Sequence, residues 1–117
     1  MAIPQETRKL WQAEITLLAA DTTKTLLAAP AGSTTSPETK IVVTHIVAHV
    51  LVSAAQAVDI KIGSVNVRRL AASEAVGAET FFGPMINGIE GQALQALTIV
   101  PAAAGPSVHV IAEGYYK

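Results

Sequence analysis

Cysteine is absent from the 117-residue sequence. Its absence excludes a disulfide framework and any cysteine-based metal or redox site, and it fits a protein that is made and assembled in a reducing cytoplasm. A chain of this length can form one domain with its own hydrophobic core, and it is too short for two domains of ordinary size. The sequence therefore predicts a single domain that folds without covalent cross-links.

Charge is also scarce, since only 15% of the residues are charged and the formal net charge is −1. This balance gives no electrostatic reason to expect nucleic acid or an anionic membrane as a partner. No apolar run reaches the roughly 18 residues that a membrane-spanning helix needs, and we expect no signal peptide at the N-terminus. Half of the residues are hydrophobic. We therefore expect part of the apolar surface of the folded chain to be buried in contacts between subunits.

Aromatic residues are few, with one tryptophan, two tyrosines and two phenylalanines. Because sugar-binding surfaces usually depend on exposed aromatic rings, this scarcity weighs against a glycan-binding role. We expect the single tryptophan, Trp11, to anchor an N-terminal arm on a neighbouring subunit. Tyr115 and Tyr116 fit the rim of a protein interface or of a carbohydrate-binding surface.

The most informative segment is residues 40–54, KIVVTHIVAHVLVSA. Its Val, Ile and Thr residues favour a strand over a helix. Fifteen residues at about 3.3 Å each exceed the usual strand length, so we expect a bulge or bend near Ser53. Every second residue from Val42 forms one apolar row. The opposite row carries His45, Val47, His49 and Leu51. A strand that is apolar on both faces needs cover on both, and we predict that this second row contacts a neighbouring subunit.

The spacing of His45 and His49 would suit a metal site on a helix. On a strand, the same spacing separates the two rings by about 13 Å, whereas zinc binds nitrogen at about 2 Å. One chain therefore cannot offer both rings to one ion, and we predict no metal site. A symmetry axis that brings together three copies of one histidine is the only route left open.

Residues with catalytic potential show no recognisable pattern. The acidic side chains are scattered over turns and strands at Asp21, Glu74, Glu79, Glu90 and Glu113. The sequence lacks the setting of a nucleophilic serine and the lysine and helix that follow a phosphate-binding loop. We therefore expect neither enzymatic activity nor a cofactor, although a pair of carboxylates assembled in space for glycoside hydrolysis stays open.

Short apolar segments separated by turn-forming residues run through the whole chain. They predict strands at residues 12–20, 24–29, 40–54, 58–62, 65–71, 79–86, 92–100 and 107–116. Pro84 places one of these strands at the rim of a sheet, and Asn87-Gly88 predicts a turn. This pattern favours an all-β fold, an antiparallel β-sandwich with a jelly-roll-like topology, over residues 11–117. Residues 1–10 are expected to form an extended arm, which either frays or lies on a neighbouring subunit.

The order of these segments resembles a known group of proteins. It begins with ITLLAADTTKTLLAAP, continues through KIVVTHIVAHVLVSAAQAVDIKIGS and FFGPMINGIEGQAL, and ends with LTIVPAAAGPSVHV and a terminal GYY. This layout is similar to the small jelly-roll virion proteins of tailed bacteriophages, which are capsid decoration (cement) proteins and related head-fibre or tail subunits. The resemblance rests on layout and composition and carries no set of functional residues with it.

The resemblance implies a trimeric or otherwise symmetric oligomer without enzymatic activity. It implies the major capsid protein or another virion protein as the partner, and the virion as the final location after synthesis in the host cytoplasm. The alternative function is a tail or fibre subunit that binds host glycans.

Overall fold

The computed structural model describes residues 9–35, 37–52, 56–70, 79–83 and 88–117. Nine β-strands lie in these ranges, and none of the described residues is helical. The strands are β1 (Leu10–Leu17), β2 (Lys24–Leu27), β3 (Ile41–Val52), β4 (Val58–Ile62), β5 (Val65–Leu70), β6 (Glu79–Phe82), β7 (Ile89–Glu90), β8 (Leu97–Pro101) and β9 (Ser107–Tyr116). No helix that could cross a membrane occurs in the described ranges.

The strands form two antiparallel sheets. The first has the order β1-β9-β3-β6, with β7 also pairing with β3, and the second has the order β2-β8-β4-β5. The pairs are nested, because β4 pairs with β5, β3 with β6 and β7, β2 with β8 and β1 with β9. A long antiparallel ribbon that is rolled up into two sheets gives this nesting, and it is the topology of a jelly roll. The predicted antiparallel β-sandwich is confirmed.

The core lies between the two sheets and follows from strict alternation along the strands. In β4, VDIKI, the three aliphatic side chains are buried and the two charged ones face away from the core. Ile60 and its register partner Ile99 are both fully buried, as are Leu17 and Val110 of the first sheet. Burying each such side chain contributes roughly 1.5–3 kcal/mol, so the sandwich interior supplies most of the driving force for folding.

The central strand β3 departs from simple alternation at two places. Its pairing with β9 shifts register between Val43 and His45 and again between Val50 and Val52. The second shift agrees with the bend expected near Ser53. The first was not expected, and it makes Thr44 an extra residue that reverses which side chains face the core. Ile41 and Val43 therefore belong to the core cluster before Thr44, and Ile46 and Ala48 belong to it after Thr44, whereas Val42 is buried outside that cluster.

Other strand boundaries differ from the sequence prediction. The strand expected over residues 92–100 begins only at Leu97, because Gly91 to Ala96 form a connection in which Leu94 has a φ of 60°. The predicted rim position of the strand that starts at Glu79 is confirmed, since β6 forms an edge of the first sheet. Leu10, which was assigned to the arm, begins β1. Residues 1–8, 36, 53–55, 71–78 and 84–87 lie outside the described residues, and with them most of the predicted arm, Ser53, Pro84 and Asn87.

Candidate interaction surface

The two sheets present very different outer faces. The outer face of the second sheet is polar and carries Asp59, Lys61, Arg69 and Thr98 on neighbouring strands. Arg69 Nε and Nη2 donate to the two carboxylate oxygens of Asp59 at 2.7 and 2.9 Å. Such a face is the ordinary solvated side of an antiparallel sheet, and it does not suggest a binding surface.

The outer face of the first sheet combines apolar residues with all three histidines of the chain. In the register of β3 and β9, His45 lies opposite Glu113, Val47 opposite Ile111, and His49 opposite His109. On the other side of β9, Glu14 of β1 lies opposite Ile111, and Thr16 lies opposite His109. We call this surface the histidine face. It consists of Glu14, Thr16, His45, Val47, His49, Leu51, His109, Ile111 and Glu113.

The centre of the histidine face is an apolar groove. A depression of about 460 Å³ is lined by Val47, His49, Leu51, His109 and Ile111. Leu51 is 41% exposed, which is unusual for a large aliphatic side chain on a central strand. A solvated outer sheet face normally carries polar residues at these positions, so the groove marks the histidine face as a candidate contact surface.

Hydrogen bonds hold the imidazole rings of His45 and His109 in place. Glu14 Oε2 accepts from His109 Nε2 at 3.3 Å, and Thr16 Oγ1 lies 2.7 Å from His109 Nδ1. A neutral ring that donates through Nε2 accepts at Nδ1, so the Thr16 hydroxyl donates to it. On β3, His45 Nδ1 donates to Glu113 Oε1 at 3.2 Å. Both rings are half-buried, and carboxylates on the neighbouring strand set their orientation.

A second depression continues the surface toward the bulge. It has a volume of about 410 Å³ and is lined by Leu10, Trp11, Gln12, Thr44, Glu113 and Gly114. Leu10 is 63% exposed there. The Thr44 hydroxyl donates to the carbonyl oxygen of Glu113 at 3.2 Å, which fixes the bulge against β9. The two depressions lie side by side along the outer face of the first sheet.

The structure brings four of the predicted contact residues together. His45, Val47, His49 and Leu51 lie along one row of β3, as the alternation predicted. His109 and Ile111 belong to the same surface and were not predicted as contact residues. Their alternation along β9 was visible, but their pairing with His49 and Val47 of β3 joins positions sixty or more residues apart and depends on the tertiary fold.

The other three predicted contact residues lie elsewhere. Trp11 belongs to the core of this chain, is 8% exposed, and donates from Nε1 to the carbonyl oxygen of Tyr115 at 3.2 Å. Tyr115 and Tyr116 lie on opposite faces of β9, so they form no single aromatic patch. Tyr116 packs against the core, where burial raises its pKa, and the Lys9 ammonium lies 5.7 Å from its ring centroid. A role of these three residues in subunit contacts stays a prediction.

Metal binding gains no support from the geometry. Within the described ranges, no group of three or more His, Asp or Glu side chains could hold an ion. Both nitrogens of His109 already bond to Thr16 and Glu14.

Comparison with known proteins identifies a shared fold. No protein-family model and no curated protein matches the sequence. Among solved structures, the chain is similar to one in the structure described as "Cyanophage Pam1 capsid asymmetric unit". The two share 14% identity over 99% of this chain and 91% of that one, with a TM-score of 0.50. At this level of identity, the similarity shows that both chains have the same kind of β-sandwich over nearly their full lengths.

Proposed function

We propose that this chain is a structural protein of a bacteriophage particle, and specifically a capsid decoration subunit that self-associates and binds the particle surface. The observation that carries the proposal is the similarity to a chain of a cyanophage capsid asymmetric unit, which extends over 99% of this chain. A match of this extent involves the whole domain and both sheets. The layout of the sequence, which resembles small phage virion proteins, supports the proposal independently.

The histidine face gives the proposed subunit a means of attachment. Burial of apolar surface contributes about 25 cal/mol per Å², and Val47, Leu51 and Ile111 expose such surface on a rigid sheet. A contact that is weak for one subunit becomes strong when many copies bind a symmetric shell, since each bound copy raises the effective concentration of the next contact. The proposed partners are other copies of this chain and the major capsid protein or another virion protein.

A catalytic role is not part of the proposal, because the carboxylates of Asp21, Asp59 and Glu90 form ion pairs with lysine or arginine. Asp59 binds Arg69, Asp21 binds Lys24, and Glu90 lies between Lys40 and Lys117 at 3.4 and 3.3 Å. Hydrogen bonds from Arg69, from the Leu18 backbone and from Lys117 lower the pKa values of Asp59, Asp21 and Glu90, respectively. A general acid needs the opposite shift, so these three carboxyl groups are unsuited to that role. Cofactor, nucleic acid and membrane are likewise outside the proposed function.

The alternative, a tail or fibre module that binds glycans, lacks a supporting observation. The aromatic pair that could have carried it, Tyr115 and Tyr116, is split between the two faces of β9, and Tyr116 packs against the core.

Quantitative mass spectrometry of purified particles tests the proposal. In particles of the phage whose genome encodes the chain, we expect it in amounts comparable to the major capsid protein, bound to the head. Its absence, or a few copies located on the tail, would contradict a decoration role. A variant without residues 1–9 tests the predicted arm, which we expect to be needed for attachment to particles and not for folding. Attachment by the shortened chain would remove the arm from the proposal.

A further inference from the structure

The outer edge of β1 carries backbone groups that point away from the sheet. β1 lies at the edge of the first sheet, beside β9. The N–H of Tyr116 donates to the carbonyl oxygen of Lys9 at 2.9 Å. Because hydrogen-bonded positions alternate along an antiparallel strand, the backbone groups of Lys9 and of every second residue after it face β9. Those of Leu10, Gln12 and Glu14 therefore face outward, and within the described ranges no hydrogen bond reaches them.

The same edge is closed farther along the chain. Lys24 Nζ donates to the carbonyl oxygen of Thr16 at 3.3 Å, and Asp21 Oδ2 accepts from the backbone N–H of Leu18 at 2.7 Å. Lys24 and Asp21 also form an ion pair with each other at 3.3 Å. Side chains thus occupy the edge from the carbonyl group of Thr16 onward, which confines the open stretch to residues 10–14.

The other edge strands in the described ranges are short or irregular. β2 and β6 have four residues each, and β7 has two. Register shifts interrupt the pairing of β2 with β8 and of β5 with β4. Short and bulged edges resist pairing with another chain, whereas a long regular edge invites it. β1 has eight residues in unbroken register with β9, so it is the described edge strand best suited to accept a further strand.

We propose that residues 10–14 of β1 pair with the same stretch of a second copy of this chain, antiparallel about a two-fold axis at Gln12. This axis places Gln12 opposite Gln12 of the partner subunit, and Leu10 opposite Glu14 of the partner subunit. The pairing then forms about six backbone hydrogen bonds, two in each of the matched pairs of open positions. The first sheets of both copies join into one continuous sheet. The contact deepens the self-association part of the proposed function and does not depend on attachment to a particle.

The positions of the open groups and of the charges select this register. An axis one residue to either side of Gln12 would match only two pairs of open positions. An axis at Glu14 would place two carboxylates opposite each other, which opposes strand pairing. It would also require the carbonyl oxygen of Thr16, which Lys24 already occupies. With the axis at Gln12, the two Glu14 positions lie about 13 Å apart along the strands, which is beyond the Debye length at physiological salt.

A second copy of β1 matches the open stretch in length and in side chains. Both copies end their open stretch at the same place, so the contact leaves none of these outward backbone groups without a partner. Leu10 is 63% exposed, and the pairing covers it with the aliphatic part of Glu14 of the partner subunit. On the core side, Ala13 and Ile15 are only partly buried, and the added strand covers their outer flank. The interface is self-complementary, as a two-fold contact requires.

The length of the open stretch predicts a weak contact. Five residues of a strand extend over about 17 Å, and two such edges bury well under the roughly 1,200 Å² at which stable specific interfaces begin. We therefore expect a concentration-dependent equilibrium in solution that becomes effective when copies are concentrated on a larger assembly. The contact closes at two copies, in contrast to the trimer that the resemblance implies.

Amide hydrogen exchange of the full chain, followed by NMR at two concentrations about a hundredfold apart, tests the pairing. We expect the amides of Leu10, Gln12 and Glu14 to exchange at least tenfold more slowly at the higher concentration. Those of Trp11 and Ala13, which face β9, are the internal controls and should not change. The pairing is wrong if the outward amides exchange rapidly at both concentrations, or if they are protected in a chain that light scattering shows to be monomeric.

Charge variants at the axis provide a second test. Gln12→Glu and Gln12→Lys each place like charges opposite each other, and each should weaken the dimer about tenfold, while an equimolar mixture of the two should associate again. Thr25→Glu and Thr25→Lys are the matched controls, because Thr25 is an exposed residue of the short edge strand β2, and they should leave association unchanged. Circular dichroism verifies that each variant is folded.

Two results of the charge experiment would overturn the pairing. One is a mixture of the Gln12 variants that associates no better than its components, and the other is a trimer of the unmodified chain in light scattering. Association as expected, together with absence of the chain from particles, would retain the pairing and reject the virion role.

Discussion

Trp11 and Gly114 lie directly opposite each other in the antiparallel register of β1 and β9. The indole occupies the space beside the glycine, so that a Cβ atom at position 114 would lie 3.0 Å from Trp11 Cζ2 and would overlap the backbone oxygen of Val42. The missing side chain allows a tryptophan to fit inside a sheet sandwich next to the central strand. This packing explains why the only tryptophan belongs to the core.

Replacing Gly114 by alanine should destabilise the fold strongly. The added methyl group meets the backbone of β3, which cannot move without disturbing the central strand, so we expect a loss of about 3 kcal/mol in the free energy of unfolding. Urea denaturation followed by Trp11 fluorescence measures this loss. A change below about 1 kcal/mol would show that the sheet relaxes around the new atom.

The bulge at Thr44 makes two deletions differ sharply. Removal of Thr44 joins Val43 to His45, whose partners on β9 are already adjacent, so every other side chain keeps its face and we expect a folded protein. Removal of Val47 shortens β3 on the far side of the bulge. Even if Thr44 returns to regular pairing and compensates for the lost residue, His45 then faces the core and Ile46 faces outward. A histidine is thus buried in place of an isoleucine. Thermal unfolding of both variants compares them. Equal stability would contradict the assignment of the bulge.

Ser107 is the one polar residue that is buried among the described residues, and its hydroxyl donates to the carbonyl oxygen of Leu17 at 2.8 Å. Ser107→Ala removes the donor and leaves a buried acceptor with one bond fewer, which should cost about 1–2 kcal/mol. Ser33→Ala is the matched control, because the Ser33 hydroxyl is exposed, and it should change stability by less than about 0.5 kcal/mol. Chemical denaturation of both variants checks the difference, and equal losses would show that burial of this bond does not matter.

The ion pair of Asp59 and Arg69 should contribute to stability in a pH-dependent way. Hydrogen bonds from Arg69, then from Asn66, lower the pKa of Asp59 in the folded state. The unfolded chain therefore binds the proton more tightly, so the stabilisation is complete above the unfolded pKa of about 3.9 and is lost as the pH falls through the lower folded value. We expect Asp59→Asn to be less stable than the natural protein at pH 7 and the difference to shrink below about pH 4.

Arg69→Gln provides the control for this prediction, since it removes the same pair from the other side. Both variants should show the same pH profile in thermal unfolding scans between pH 2.5 and pH 7. A constant stability difference over that range would mean that Asp59 contributes through packing and not through its charge.

Local sequence determined the elements of this protein and part of its surface. Alternation alone predicted β4 and β9, and Val, Ile and Thr residues identified β3 as a strand. Alternation also placed His45, Val47, His49 and Leu51 in one row, because neighbours two residues apart on a strand share a face whatever the fold. The sandwich class followed from the number of short segments and the lack of an amphipathic helix.

Only the tertiary structure decided which strands are neighbours. The bulge at Thr44 has no local signature, because Thr suits a regular strand equally well, and it arises from the register that β9 imposes. The same pairing brings His109 and Ile111 beside the row on β3 and thereby creates the histidine face. The core position of Trp11 was not predicted, because the sequence does not show that Gly114 leaves room for the indole inside. Strand pairing joins positions that are distant in the chain, so its consequences depend on long-range packing that no short stretch of sequence contains.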